Sequence, residues 1–354
     1  MRILVLTTEY EPTIIGGLGV VASQLAAQLS TFEHEVVIVT KGIKQSIDDR
    51  RIGRMRVIRV PKCVKHDVVP YLKKRVLPID MIHVHSIQWD EVAIALKELC
   101  KVRTLYTCHS LITLEKFQSK FAKTMQERQQ QLLRHCDVVV SPSLWQKDQI
   151  DTMHLTSKSV VIPNGVTLSP IAPLDANKRD LVFVGRLVRL KGIEDLLAAL
   201  ATYPQKHPVS LDVYGRGENH YEAKLLRMAN NIRPHRVHFR GFLDHERMTQ
   251  RMRSYGALIM PSKNESFGLS ALEAMGSGIP VCASRQGGLA EFVDRSVAAV
   301  IDPISPKTIR ESLDELFHDK EKTAQRRMAA HERAKQYAWN LIAKRYEKLM
   351  EEIR

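Results

Sequence analysis

Short runs of apolar, often β-branched residues recur along this chain, and many are followed, after a glycine or polar turn, by a segment of helical spacing. The first set comprises Arg2 to Thr7, Glu35 to Thr40, Met55 to Val60, Asp80 to His85, Arg103 to Cys108 and Asp137 to Val140. The pattern restarts at Asp180 and continues through Leu211 to Tyr214, Val237 to Arg240, Ala257 to Met260, Ile279 to Ala283 and Ala298 to Asp302. Strand, turn and helix in succession predict an α/β chain with parallel sheets covered on both faces. Ligands of such sheets gather where the strands end, so the residues just after each run are the first place to look for chemistry.

A chain of 354 residues is longer than one core usually fills, and two domains of roughly 150 to 180 residues are expected. The break is placed in the stretch Pro170 to Lys178, rich in Pro, Ala and Asn, which follows the turn Pro163-Asn-Gly-Val166. The expected division is therefore 1–169 and 170–338. A last helix from Trp339 to Ile353 carries Leu341, Ile342, Tyr346, Leu349 and Met350 at helical spacing, which core packing explains.

No apolar run approaches the roughly 18 residues that span a bilayer, and the first strand begins at Arg2 without a signal-peptide pattern, so a cytosolic protein is expected. Cys63, Cys100, Cys108, Cys136 and Cys282 are scattered and form no Cys-x-x-Cys pair, which points to reduced, buried thiols. The net charge of +14 is shared evenly: 23 Lys+Arg against 16 Asp+Glu up to residue 170, then 30 against 23. No nucleic-acid recognition motif accompanies it. Denser basic clusters at Arg50 to Lys65, at Lys73-Lys74-Arg75 and along Lys116, Lys120 and Lys123 are solvated faces or a surface for an acidic acceptor or membrane.

Two stretches carry candidate chemistry in the second half. Pro261 to Gly288 places Glu265 in a loop after one strand and Glu273 eight positions later, inside the helix opened by Gly268. The peptides of Phe267, Gly268 and Leu269 fall at the helix start, where unpaired N–H groups and the positive dipole end favour phosphate. Upstream, Gly185-Arg186 ends a strand and Lys191-Gly192 leads into a helix; a planar guanidinium and a point charge there suit a diphosphate. In the first half, Gly17-x-Gly19-x-x-Ala22 matches a dinucleotide fingerprint, but Thr8 to Ile15 separate it from the strand, whereas that fingerprint needs its glycines at the strand end. His85 and His109 both stand where strands end.

The setting Pro-Ser-x-x-Glu-Ser-Phe-Gly-Leu-x-x-Leu-Glu-Ala-Met-x-x-Gly-x-Pro-Val, with Gly-Arg-Leu-x-x-x-Lys-Gly before it, resembles retaining glycosyltransferase family 4. The resemblance implies a GT-B fold, two Rossmann-like domains with parallel sheets facing across an interdomain cleft and a terminal helix, 339–354, that rejoins the first domain. It implies transfer of a hexose from a nucleotide diphosphate sugar, with a UDP donor expected from frequency in the family. Arg186 and Lys191 would hold the diphosphate, Glu265 the donor-sugar hydroxyls and Glu273 the ribose diol. His109, preferred over His85, would contact the sugar, and Gly16, Gly17 and Gly19 would form a phosphate loop. No Asp-x-Asp motif is present, and no metal or cofactor is expected. The acceptor is expected to be phosphorylated or membrane-associated, which would bring the enzyme to the inner membrane face. A sugar-nucleotide epimerase or hydrolase of the same fold, and a catalytically silent binding module, are the competing readings.

Overall fold

The computed structural model describes residues 1–354 except 44–45, 62–67, 115–119, 172–174 and 176–177. Cys63, Lys65, Lys116 and much of the 170–178 stretch lie outside the described residues. Two compact units are present: Met1–Gly165 with Trp339–Arg354, and Val166–Ala338. The change of unit thus comes at Gly165/Val166, ahead of 169/170. Val166 is tied by its N–H to the Tyr337 carbonyl, and Ser169 N–H donates to the Gly276 carbonyl.

In the first unit, β1 (Arg2–Leu6), β2 (Glu35–Lys41), β3 (Asp48–Ile52), β4 (Met55–Val60), β5 (Met81–Val84), β6 (Arg103–Thr107), β7 (Val138–Ser141) and β8 (Ser159–Val161) form one sheet in the order β3-β4-β2-β1-β5-β6-β7-β8. The helices between them are α1 (Gly17–Thr31), α2 (Val68–Arg75), α3 (Asp90–Cys100), α4 (Lys120–His135) and α5 (Leu144–Asp151). Alternate side chains of the inner strands are buried on both faces, as a covered sheet requires; Ile3, Leu4, Val5 and Leu6 are all inside.

The sheet is not wholly parallel, contrary to expectation. β3 pairs antiparallel with β4, Ile52 opposite Met55, through a two-residue turn whose Gly53 has φ +59°, the glycine-dependent hairpin geometry. Its sequence, Asp-Asp-Arg-Arg-Ile, has no apolar face because this edge strand is exposed apart from Asp48. Its charges pair locally: Arg56 on β4 meets Asp49 at 2.7 Å. A solvated edge rich in charge also discourages pairing with another chain.

The C-terminal helix, Trp339–Ile353, belongs to the first unit. Trp339, Ile342, Tyr346, Leu349 and Met350 are buried, whereas Leu341 is 42% exposed and stands off the stripe. Tyr346 O–H lies 3.2 Å from Thr107 Oγ1, which in turn lies 2.8 Å from Nε2 of the buried His83 on β5. His34 at the start of β2 pairs with Glu347 at 2.9 Å.

The second unit repeats the plan with β9 (Asp180–Val184), β10 (Ser210–Tyr214), β11 (Arg236–Gly241), β12 (Ala257–Met260), β13 (Val281–Ser284) and β14 (Ala299–Ile301), all parallel, in the order β11-β10-β9-β12-β13-β14. Its helices are α6 (Ile193–Ala201), α7 (Asn219–Asn230), α8 (His245–Met252), α9 (Leu269–Gly276), α10 (Pro306–His318) and α11 (Lys320–Lys335). Strand alternation divides the core in two. Leu181 and Phe183 of β9 pack with α6, α7 and α10, while Val182 packs with α8, α9 and α11. Gly287-Gly288 opens only a 3-10 turn, Gly287–Glu291, where a helix was expected. Gly288 N–H is held by the Glu265 carbonyl at 2.8 Å, which ties the segment to the preceding loop. Among the described residues no helix is long and apolar enough to cross a membrane.

Two predictions follow from the first unit's packing. Tyr346→Ala should cost about 3–5 kcal/mol in urea unfolding, and Leu341→Ala should stay within about 0.5 kcal/mol. Burial pushes His83 down to about 3, so the folded unit leaves it neutral while the unfolded chain takes up a proton. Unfolding therefore gains favour as the pH drops below about 6.5, by on the order of 3 kcal/mol at pH 4. Denaturant midpoints measured from pH 7 to pH 4 should fall, and fall less in His83→Gln.

Candidate active site

Among the parallel strands of each sheet the order reverses once, between β9 and β12 in the second unit and between β1 and β5 in the first. At such a reversal the loops after the two neighbouring strands diverge and leave a crevice at their carboxyl ends. The residues singled out from sequence concentrate at these two places.

In the second unit, Lys191 lies on the loop after β9 and Glu265 on the loop after β12, and they meet with Lys191 Nζ 2.5 Å from Glu265 Oε1. The carboxylate side chain is 8% exposed and the ammonium 18%. Two further contacts bind the loops together: Lys263 N–H donates to the Leu190 carbonyl at 2.7 Å, and Lys263 Nζ pairs with Asp195 at 2.7 Å. Gly192 fixes the approach. It has φ +70°, and a Cβ there would stand 1.9 Å from the Pro261 carbonyl oxygen, so only glycine lets the Lys191 turn lie this close to β12.

Gly268 opens α9, and Glu273 sits within that helix. The ring of Phe267 is buried against Phe292 and Tyr337, at centroid distances of 5.0 and 6.0 Å, so its side chain belongs to the core and only its backbone is available to a ligand. Glu273 Oε1 lies 2.8 Å from Nε2 of His245, the first residue of α8. Arg186 is exposed just beyond β9. Its neighbours are held in place by Gly185 N–H to the Tyr214 carbonyl and Leu187 N–H to the Arg216 carbonyl. The arrangement can neutralise an anion at Lys191 and the helix start while presenting carboxylate oxygens to hydroxyl groups.

In the first unit, the loop after β1 is occupied by its own acid. Glu9 Oε2 accepts from the N–H groups of Ile15 and Gly16, each at 2.9 Å, at the start of α1. Gly19 faces the same side chain so closely that a Cβ would meet Glu9 Cβ at 2.8 Å. Gly17 opens α1 beside them. Across the strand reversal, Thr8 N–H donates to Ser86 Oγ at 2.8 Å, joining the loops after β1 and β5. His85, buried beyond β5, and His109, beyond β6, lie with Nδ1 of the former 3.0 Å from Nε2 of the latter. Burial pushes His109 down to about 3 and His85 well below the usual imidazole range, the latter lowered further by its neighbours His83 and His109. All three rings are neutral near pH 7.

The structure thus gathers Lys191, Glu265 and the start of α9 into one cluster, and places Gly16, Gly17, Gly19 and His109 in the first unit. Two residues that pair with these candidates, His245 and Glu9, escape the sequence reading, and for a third, His85, the partner does. His245 is 28 residues from Glu273 and announces only a helix start after Asp244. Glu9 is seven residues from Gly16 in a loop without periodicity. His85 was noticed, but nothing in its spacing indicates that it pairs with His109.

The sequence profile described as Glycosyl transferases group 1 matches residues 167–336, and that described as Glycosyltransferase Family 4 matches residues 15–169. An uncharacterised glycosyltransferase of Methanocaldococcus jannaschii is 28% identical over 90% of this chain and 90% of its own length. The glycogen synthase of Mycobacterium tuberculosis is 28% identical over 83% and 80%. The D-inositol 3-phosphate glycosyltransferase of Corynebacterium jeikeium is 28% identical over 81% and 75%. Among solved structures, sucrose-phosphate synthase from Thermosynechococcus elongatus superposes with a TM-score of 0.80 at 23% identity, covering 99% of this chain and 98% of its own. Anabaena HepE in complex with UDP and glucose gives 0.79 at 19% identity, covering 99% of each. With the two profiles together spanning residues 15–336, and the fold shared along the whole chain, the protein is a group 1 glycosyltransferase of GT-B fold.

Proposed function

We propose that the protein is a retaining hexosyltransferase that uses a nucleoside diphosphate sugar, UDP-linked, and transfers its sugar to an acceptor hydroxyl without a divalent metal. The observation that carries this reading is the Lys191–Glu265 pair beside the start of α9. In this reading the cation and the helix-start amides take the leaving diphosphate, and the carboxylate accepts from the sugar hydroxyls. HepE is described in complex with UDP and glucose, which supports a donor of that class.

In this reading the bond from the anomeric carbon to the diphosphate oxygen breaks as the bond to the acceptor oxygen forms on the same face. The acceptor proton passes to the departing phosphate oxygen. Lys191, the fork of Arg186 and the amides of Gly268 and Leu269 stabilise the charge that develops on the diphosphate. Glu265 turns from Lys191 to the sugar hydroxyls, Glu273 holds the ribose diol, and His109 donates to or accepts from a sugar hydroxyl. Glu9 already engages Gly16, so a phosphate role for the Gly16 to Gly19 loop entails displacement of that carboxylate. The acceptor is phosphorylated or membrane-borne. This part of the reading is supported by exposed Lys73, Lys74 and Arg75 on α2 and by the arginines of the β3–β4 edge, and it places the enzyme in the cytoplasm at the inner membrane face.

Incubation with radiolabelled UDP-, GDP- and ADP-hexoses, with and without chelator, tests the reaction. The expected result is chelator-resistant transfer with retained anomeric configuration. An inverted product or loss of transfer with chelator overturns the mechanism, while release of free sugar or an altered sugar nucleotide without acceptor points to a hydrolase or epimerase. Thermal shift with UDP, GDP and ADP reads the donor class separately, since a ligand of the native state raises the midpoint.

The ion pair yields two predictions of opposite sign. Lys191→Ala removes a charge-assisted bond to the diphosphate and should weaken UDP binding roughly 10- to 100-fold by calorimetry. Glu265→Gln releases Lys191 from its internal partner and should tighten UDP severalfold, while the loss of the sugar contact lowers transfer by about tenfold or more.

A further inference from the structure

The first unit contains a buried imidazole array that the reading above uses at one position only. His83 on β5 is fully buried, as is Thr107 beside it on β6, and His83 spends Nε2 on Thr107 Oγ1 at 2.8 Å, with Tyr346 O–H beyond. Its Nδ1 is buried without a partner among the described residues. The ring of His85 lies tilted by 42° against it at a centroid distance of 4.1 Å and stacks against His109 at 5.2 Å with an interplanar angle of 26°. His85 is 2% exposed and its N–H is fixed to the Leu6 carbonyl at 2.9 Å, so both its backbone and its ring are held by the sheet.

A neutral imidazole has one N–H donor and one bare acceptor nitrogen, and a partner at one nitrogen decides what the other offers. Among the described residues the His109 ring has one hydrogen-bond partner, His85 Nδ1, at Nε2. Burial keeps both rings neutral, so a single proton lies along the 3.0 Å contact and the tautomer of either ring sets that of the other. His109 itself is only partly buried, which leaves its other edge open to a ligand.

We propose that His85 is a positioning residue for glycosyl transfer: by occupying His109 Nε2 it fixes that ring's tautomer and orientation, leaving His109 Nδ1 as the one imidazole nitrogen able to meet a sugar hydroxyl. This rests on the glycosyl-transfer reading. His85 touches no substrate. It acts through His109, and its burial against His83 and its N–H bond to the Leu6 carbonyl hold it there. Removal of the Nδ1 contact frees the His109 ring to rotate and to exchange its proton between nitrogens. That disorders a bond to the reacting sugar without disturbing the diphosphate contacts of the second unit.

The test compares His85→Asn, whose amide nitrogen stands in the place of Nδ1, with His85→Leu, which fills the volume without a polar atom. Nitrogen-15 spectra of the ring, assigned to His109 through His109→Gln, report the tautomer independently of activity. The expected result is one tautomer for His109 in the wild type and in His85→Asn, and a mixture in His85→Leu. His85→Leu should also lose about tenfold in kcat, with the UDP dissociation constant and the unfolding midpoint near wild type, while His85→Asn keeps most of the rate. An unchanged tautomer in His85→Leu overturns the inference, as does equal loss in both variants or a fall in UDP affinity matching the fall in rate. A tautomer mixture with undiminished transfer overturns both the inference and the role of His109. If the wild type transfers no sugar from any donor, it is the glycosyl-transfer reading that fails, and the sugar-directed part of the inference fails with it, while the spectra still decide whether His85 sets the His109 tautomer.

Discussion

The second unit is built around an ion pair between neighbouring strands. Lys191 and Glu265 are 74 residues apart in sequence and meet because β9 and β12 are adjacent where the strand order reverses. Both side chains are largely withdrawn from water, and a buried charge without its partner costs several kcal/mol. The pair therefore constrains everything that brings it together: the left-handed Gly192, the Leu190 carbonyl that receives Lys263 N–H, and the Lys263–Asp195 bridge outside it. A pair of this kind contributes little net stability compared with an apolar replacement. Under the proposed function its presence on the carboxyl edge of the sheet serves a charged ligand more than the folding of the unit.

The first unit has the same reversal but a different electrostatic solution. Its helix start is answered from within by Glu9, and its polar side chains at the ends of β5 and β6 are imidazoles held neutral by burial. Neutral rings offer directional hydrogen bonds and no net charge, which suits hydroxyl groups. A lysine and a carboxylate suit a diphosphate and a polyol. Two sheets with the same reversal of strand order at their centre thus present different chemistry because different residue types follow their strands, which is how a shared plan comes to host distinct sites.

Much of this was legible in the chain. Inner strands such as Glu35–Lys41 and Ala257–Met260 are apolar on both faces and stand out from their surroundings, and the C-terminal helix announces itself by its spacing. The Glu265 and Glu273 spacing survives into structure because it is local, one acid before and one within α9. What escaped detection has physical causes. β3 is mostly exposed and charged, so apolar periodicity is blind to it, and only Gly53 marked its turn. His245, Glu9 and His85 act through partners brought near by the fold, and no local pattern encodes such a meeting. Leu341 illustrates the reverse error: an apolar residue within a stripe of helical spacing that the rotation of the helix leaves in solvent.

The net charge of +14 has little to do with the ion pair, where a lysine and a glutamate cancel. Much of the excess lies on exposed side chains. Arg50, Arg51 and Arg54 retain 61%, 66% and 57% of their side-chain exposure although each has an acidic neighbour at Asp48, Glu35 or Glu33. Pairs so open to water are screened within a Debye length of about 8 Å at physiological salt and add little to stability. Their summed field still raises the local concentration of anions around the first unit. The Lys191–Glu265 pair is shielded from that field's salt dependence, whereas the exposed arginines and lysines influence the rate at which a negatively charged partner arrives. A change in salt should act mainly on the latter, which separates the two kinds of charge within one molecule.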